Sequence, residues 1–282
     1  MFERFSRSWS LIKASAGVLS KDKELLVFPL LSSICTVIVA VAFILPALGM
    51  GSLDGLKEGG AGVSVGMYVL TFLFYLAQYF VIFFFNTALV GAAMIRLDGG
   101  DPTVGDGLRI AGRKIVPILG YAAIAATVGM ILRSLQERAG FLGKIVVSMI
   151  GVAWTVASFL VVPVLVSRDI GPIDAVKESA ALLKKTWGEN LIGQGGVGVV
   201  FGLIYVAMVL LGIAVIVLAA MTGNGVLIGT AVAVMVVAFV LVALIHAALA
   251  GIYSAALYRY AMGEASSTGF DGQMLQQAFR LK

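Results

Sequence analysis

A single cysteine, a single histidine and 12% charged residues leave several kinds of chemistry without material in this chain of 282 residues. Cys35 has no second thiol to pair with, so no intrachain disulfide can form. One Cys and one His are too few for a Cys/His zinc site. Cys35 lies within an apolar run and reads as a small core residue. Soluble domains carry roughly 25% charged residues, because a folded globule must cover itself with solvated groups. Half that amount cannot cover a water-facing surface. Catalytic groups are scarce as well. A Ser-His-Asp arrangement would have to use His246, which sits in an apolar run without a nearby carboxylate. Gly193–Gly198 lacks the Lys-Ser/Thr that completes a phosphate-binding glycine loop. The expectation is a protein that is not an enzyme, with no catalytic residue, metal or cofactor.

What the chain has in plenty is apolar length. Its hydrophobic share is 60%, concentrated in the runs Val27–Met50, Gly66–Ile95, Ile115–Leu132, Ile145–Val166, Gly196–Ala220 and Val226–Ala250. About 20 apolar residues, at 1.5 Å per residue, cross a hydrocarbon core near 30 Å thick. The expected fold is all-α, a polytopic membrane helical bundle. It has about six transmembrane helices plus two or three amphipathic interfacial helices on the cytoplasmic face. Residues 1–262 form a single integral membrane domain and 263–282 a short cytoplasmic tail. The first run is longer than the apolar stretch of a signal peptide and reads as a retained span. The last run is expected to continue helically toward Tyr258, and Met221–Gly225 reads as a tight hairpin turn.

The net charge of +5 does not point to nucleic acid, because the basic residues flank the apolar runs. There they meet anionic headgroups and set orientation. With the N-terminus inside, sixteen Lys and Arg fall on the inner side, and only Lys57, Arg133, Arg138 and Lys144 fall outside. A multi-pass protein of the cell (inner) membrane follows, with both termini cytoplasmic and membrane lipids as partners.

Three inner segments share a spacing. Phe2, Phe5, Trp9, Ile12 and Ala16 fall at steps of 3 and 4, as do Ile173, Val176, Ala180, Leu183 and Trp187. Leu108, Ala111, Ile115 and Ile118 follow a shorter version. Each spacing gives a helix one apolar stripe with basic residues beside it, suited to the headgroup layer. Each such helix precedes two spans, so the chain reads as three uneven pseudo-repeats starting near residues 2, 104 and 172.

Helices in lipid associate through small residues that let backbones approach. Ala243, Ala247, Gly251 and Ala255 form one such ladder, and Gly198 with Gly202 another, both expected to face other helices within the chain or across a homo-oligomer seam. Tyr68, Phe72, Tyr75 and Tyr79 share a face that reads as an aromatic packing seam. Polar groups at membrane depth are the functional candidates, and these are Gln78, Asn86 and His246. His246 reads first as a hydrogen-bonded packing residue and otherwise as a pH-sensitive gate. At the inner face the candidate basic residues are Arg109, Arg113, Lys184 and Lys185. Asp98, Asp101, Asp106 and Asp174 could bind a divalent cation, but read equally as turn and helix-start residues.

The segments Trp9–Lys13, Leu25–Ser32, Phe85–Val90, Gly105–Arg109, Trp154, Val162–Val166 and Ala180–Gly188 resemble a bacterial and archaeal family of integral membrane proteins of unknown function. The likeness covers about residues 2–260. More distantly the chain is similar to the YciC-like and glycerophosphodiesterase membrane-domain group, in which an amphipathic helix precedes a hairpin of spans. Its first 30 or so residues are similar to CysZ-like sulfate permeases, a likeness that implies six spans and an inner N-terminus. Two functions stay open. One is a non-enzymatic scaffold or lipid-interacting assembly. The other is a channel or permease for a small solute or anion, with Arg109, Arg113, Lys184 and Lys185 forming an inner vestibule.

Overall fold

A computed structural model describes residues 2–49, 65–187 and 196–263, and no strand occurs among them. The tail beyond residue 263, Lys57 and the glycines before Gly196 lie outside the described residues, as do the side chains of Phe2, Phe5, Trp9 and Trp187. Helix α1 (Phe2–Lys21) and a 3₁₀ turn (Lys23–Leu26) lead into α2 (Val27–Gly49). There follow α3 (Val65–Leu97), α4 (Val104–Arg113), α5 (Ile115–Arg138), α6 (Phe141–Ala157) and α7 (Val161–Ser167). The series closes with α8 (Pro172–Trp187), α9 (Gly196–Met221) and α10 (Gly225–Ala261). Six helical segments are long and apolar enough to cross a membrane, with α6 and α7 together making the fourth. The fold is an all-α polytopic membrane bundle. In chain order α1, α4 and α8 each precede long apolar helices, the arrangement the spacing predicts.

Proline placement explains several helix starts. Pro29, Pro117 and Pro163 are each the third residue of their helices, and Pro172 is the first of α8. The first backbone N–H groups of a helix have no intrahelical acceptor, so proline loses nothing there and its fixed φ favours the helix. Thr103 caps α4 with a reciprocal box, its hydroxyl accepting from the Asp106 N–H while Asp106 accepts from the Thr103 N–H. Asn224 caps α10, accepting from the Val226 N–H at 3.0 Å. The preceding Gly223 has φ +65°, a conformation glycine adopts without a Cβ clash, and this closes the α9–α10 hairpin.

The fourth span corrects the sequence expectation. The run Ile145–Val166 is not one helix; it breaks at Ser158–Leu160. Pro163 has no N–H to donate to the Phe159 carbonyl, so a continuous ladder is impossible there. Two side chains stabilise the break. The Leu160 N–H donates to Ser179 Oγ on α8 at 3.0 Å, and Ser158 Oγ donates to the Trp154 carbonyl at 2.7 Å.

Burial is strongly one-sided. The core gathers Ile12, Val18, Leu25 and Phe28 with Ala88–Leu97 of α3, Leu160–Leu165, Leu183 and Leu249–Tyr258 of α10. All lie at the end of the bundle that carries α1 and the C-terminal end of α10, here called the capped end. Toward the opposite end large apolar side chains stand exposed, such as Leu45 at 61%, Leu210 at 64% and Val237 at 57%. The physical cause is the change of solvent. Hydrocarbon gives apolar side chains no reason to associate, whereas nearness to water does. The same solvent change places the boundary. Gly66 to Ala88 on α3 rises about 33 Å, Val27 to Gly49 about 33 Å, and Ile115 to Arg133 about 27 Å, each close to a hydrocarbon core. A boundary counted on those lengths runs past Val27, Ala88 and Ile115, on the side where α4 packs on α3. The ends of α3 and α10 project beyond it into a compact cap completed by α1, α4, α7 and α8.

The amphipathic helices are part of that cap. Helix α1 packs on α9 and α10, α4 packs on α3, and α8 packs on α5, α6, α7 and α10. Glycines set the closest approach. A Cβ on Gly107 would stand 2.7 Å from the Ala88 carbonyl oxygen, and one on Gly91 would stand 2.9 Å from Ile110. The predicted stripe of α8 is rotated. Ala175, Ser179 and Leu183 are buried, while Ile173 is 61% exposed.

Candidate functional site

The three intramembrane polar residues lie on three different helix contacts. Gln78 Nε2 on α3 donates to the Thr36 carbonyl of α2 at 3.2 Å, and its Oε1 is buried without a partner. His246 on α10 meets the Tyr205 hydroxyl of α9, with Nδ1 3.2 Å away, and its ring stacks on Phe201 at 4.2 Å between centroids. It therefore joins the two arms of the last hairpin. Asn86 faces elsewhere, toward Gly251 of α10, where a Cβ would stand 3.6 Å from Asn86 Oδ1 and 2.4 Å from Leu89. No two of the three share a site.

Asn86 belongs instead to a cavity of about 300 Å³ between α2, α3 and α10, lined by Phe28, Pro29, Ser32, Asn86, Gly251 and Ser254 among others. Phe159 from the α6–α7 break closes it. Sequence reasoning selected Asn86 but missed the cavity, which exists because Pro29 starts α2 beside Gly251 and because the fourth span breaks. A second cavity of about 380 Å³ lies between α3, α5 and α6, lined by Tyr79, Gln136, Ser148, Trp154 and Thr155. Only Tyr79 and Trp154 drew notice in the sequence.

The aromatic face of α3 is a packing seam. Tyr75, Tyr79 and Phe83 follow at 6.4 and 5.6 Å, and Phe83 stacks on Tyr121 of α5 at 4.4 Å. The Tyr75 hydroxyl accepts from Arg133 Nη1 at 2.7 Å, and Arg133 also pairs with Glu137 at 3.0 Å. Arg133 is thus accommodated at the far end of a helix that continues to Arg138.

Of the small-residue positions, Gly251 packs tightly on Leu89 and Ala255 is buried, whereas Ala243 and Ala247 are exposed. Among the described residues, a Cβ at Gly198 or Gly202 would meet nothing within 4 Å. The hairpin α9–α10 closes instead at Gly212, against Met235, and through the rings around His246.

The charged groups of the cap sort into paired and unpaired. Arg96 reaches Asp22 at 3.7 Å and Asp101 at 3.3 Å and donates to the Lys21 and Gly100 carbonyls. Arg259 pairs with Asp98 at 2.5 Å, Lys114 with Asp169 at 2.5 Å, and Arg168 with Glu178 at 2.6 Å. Asp174 pairs with Lys177 at 3.3 Å, and Asp106 with Arg109 at 3.1 Å. The four carboxylates that might have held a divalent cation are therefore each engaged by a cation of the chain itself. Burial pushes the Asp22 carboxyl up, against the pull of Arg96. Hydrogen bonds from the Thr103 hydroxyl and N–H hold Asp106 below its ordinary range, and the Lys114 ammonium does the same for Asp169. Arg113, Lys184 and Lys185 are exposed and make no ion pair among the described residues. Arg109 and Arg113 ride on α4, docked against α3, while Lys184 and Lys185 ride on α8, docked on the α5–α7 side.

A model described as a family of unknown function (DUF6159) matches residues 64–270, more than two thirds of the chain. No curated protein matches. No solved structure matches either.

Proposed function

Since the chain belongs to this family of unknown function, its own architecture is the ground to argue from, and we propose a non-enzymatic, lipid-interacting protein or scaffold of the cell's inner membrane. The observation that carries this reading is the one-sided burial: a compact, cation-bearing cap stands over helices whose far halves present apolar side chains outward. The excess of Lys and Arg on the capped side supports a cytoplasmic cap, with both ends of the chain on that side. Exposed Arg113, Lys184 and Lys185 then meet the anionic inner leaflet, each contributing on the order of 1 kcal/mol of attraction. The same reading fits the exposure of these three while Asp98, Asp101, Asp106, Asp169, Asp174 and Glu178 are each paired with a cation of the chain.

The alternative, a channel or permease for a small solute or anion, draws on the cavity between α3, α5 and α6 with its Tyr79, Gln136, Ser148 and Thr155 lining. It is less well supported. Gln78, Asn86 and His246 face separate contacts, and the basic residues of the supposed vestibule ride on helices docked in different places. The full chain in nanodiscs of mixed phosphatidylethanolamine and phosphatidylglycerol tests the main reading. We expect enrichment of phosphatidylglycerol around it, reduced by R113E/K184E/K185E. Equal lipid composition around both proteins, together with solute flux in proteoliposomes, would replace this reading with the transport one.

A further inference from the structure

We propose that the cavity between α2, α3 and α10 seats the glycerol-ester segment of one phospholipid, with the Asn86 amide donating to an ester carbonyl. This rests on the lipid-interacting reading above and makes it specific.

Depth comes first. A boundary counted on the helix lengths passes Val27 and Ala88, so the cavity walls Phe28, Pro29, Ser32, Asn86 and Leu89 lie within about one and a half helical turns of it. That is the level of the ester carbonyls of the adjoining leaflet, below the headgroups and above the tails.

Polarity comes second. Asn86 makes no hydrogen bond among the described residues, although it is half-buried at membrane depth. An amide left without a partner in an apolar setting is costly. The Ser254 hydroxyl on the opposite wall is already committed to the Gly251 carbonyl at 2.8 Å. Asn86 is thus a donor awaiting an acceptor from outside the chain, and the lipid ester is the abundant acceptor at this depth.

Access comes third. Leu30 and Ile82, beside the cavity on α2 and α3, are 43% and 41% exposed, so it opens sideways to hydrocarbon. The tails can then lie along the exposed faces of α2 and α10, and the volume of about 300 Å³ holds the backbone segment of one lipid. A solute arriving from water would have no such lateral entrance to use.

The test is native mass spectrometry of the full detergent-purified chain, titrated with dioleoyl phosphatidylglycerol and, separately, dioleoyl phosphatidylethanolamine. Two variants address the seat. Ala247→Phe fills the cavity from an exposed position on its wall, and Asn86→Leu removes the donor. We expect the wild type to retain one tightly held lipid per chain with either headgroup. Ala247→Phe loses that lipid, and Asn86→Leu weakens its binding about fivefold, the worth of one hydrogen bond. R113E/K184E/K185E keeps the tight lipid and loses only weaker phosphatidylglycerol adducts. Unchanged tight binding in both cavity variants overturns the seat while leaving the general reading intact. No retained lipid in any protein overturns both. Thermal melts accompany each variant, and should Ala247→Phe fail to fold, Asn86→Leu with Ser32→Ala decides the outcome.

Discussion

Phe28 and Gly107 meet so closely that a Cβ on Gly107 would stand 2.4 Å from the Phe28 ring. The contact joins the first turn of α2 to the amphipathic α4 and, through the Ala88 carbonyl oxygen, to α3. Glu24 strengthens the same junction, its carboxylate accepting from the Val104 N–H at 3.1 Å. Gly107→Ala therefore forces backbone to move. Overpacking of a filled core costs roughly 1–3 kcal/mol, and the backbone oxygen on one side puts this substitution at the upper end. Gly112→Ala on the same helix has open space before it and a gain in helix propensity, so it is expected to be neutral or slightly stabilising. Thermal melts of the two variants in one detergent check the contrast.

The break in the fourth span depends on Ser179. Its hydroxyl accepts the Leu160 N–H, and both residues are fully buried. Ser179→Ala leaves that N–H without a partner, at a cost of about 1–3 kcal/mol. The expected signature is a lowered melting temperature together with faster amide exchange at Leu160, in the break, and not within α6. Unchanged exchange there would show that the hydroxyl is dispensable.

Two carboxylates of the cap give opposite pH behaviour. Burial raises the folded-state pKa of Asp22 above its ordinary 3.8, so the folded state favours the protonated acid. That contribution is full below 3.8 and is lost as pH rises through the raised value. Asp22→Asn, which leaves Arg96 its other partners, is expected to be the more stable protein at neutral pH, with the gap closing on acidification. Asp106 is held below 3.8, so its contribution is present at neutral pH and is lost as pH falls through the lowered value. Asp106→Asn is the less stable protein at neutral pH and matches the wild type in strong acid. Melting temperatures across pH 3–7 for the three proteins distinguish these signs.

In the last hairpin, the hydrogen bond between Tyr205 and His246 is the polar tie and the stack of His246 on Phe201 the apolar one. Hydrogen bonds between membrane helices contribute about 0.6 kcal/mol on average. Tyr205→Phe should cost about that much. Phe201→Ala, at a buried ring, should cost about 3 kcal/mol. A larger effect for Tyr205→Phe would assign His246 a role beyond packing.

The helices were readable in the sequence because each span is a long apolar run, and a run of that length leaves few alternatives. Their boundaries shifted where a local device acted. Pro163 and Ser158 sit inside an apolar run and are invisible to hydropathy, yet together they break the helix. Which face is buried was much harder to read. The same Val, Leu and Ala residues serve toward lipid and toward protein, so composition carries no sign of the difference between Val237, exposed, and Val164, fully buried. Small residues are ambiguous for the same reason. Gly107 and Gly91 make close contacts from a short loop-side helix and a long span, while a Cβ at the better-spaced Gly198 or Gly202 would meet no described atom within 4 Å. Asn86, Gln78 and His246 were identifiable as rare polar groups, but their partners come from helices distant in the chain, and only the fold reveals that they diverge.

On this reading hydrocarbon surrounds the far halves of the helices while the cap lies at the water boundary. Nitroxide probes decide it, placed one at a time at Leu210, Val237, Arg113 and Lys185 in a chain whose Cys35 is replaced by alanine, reconstituted into bilayers. Collisions with oxygen should dominate at Leu210 and Val237, and collisions with a water-soluble nickel complex at Arg113 and Lys185. Strong nickel accessibility at Val237 or Leu210 would put water around the far halves of the helices and overturn this arrangement.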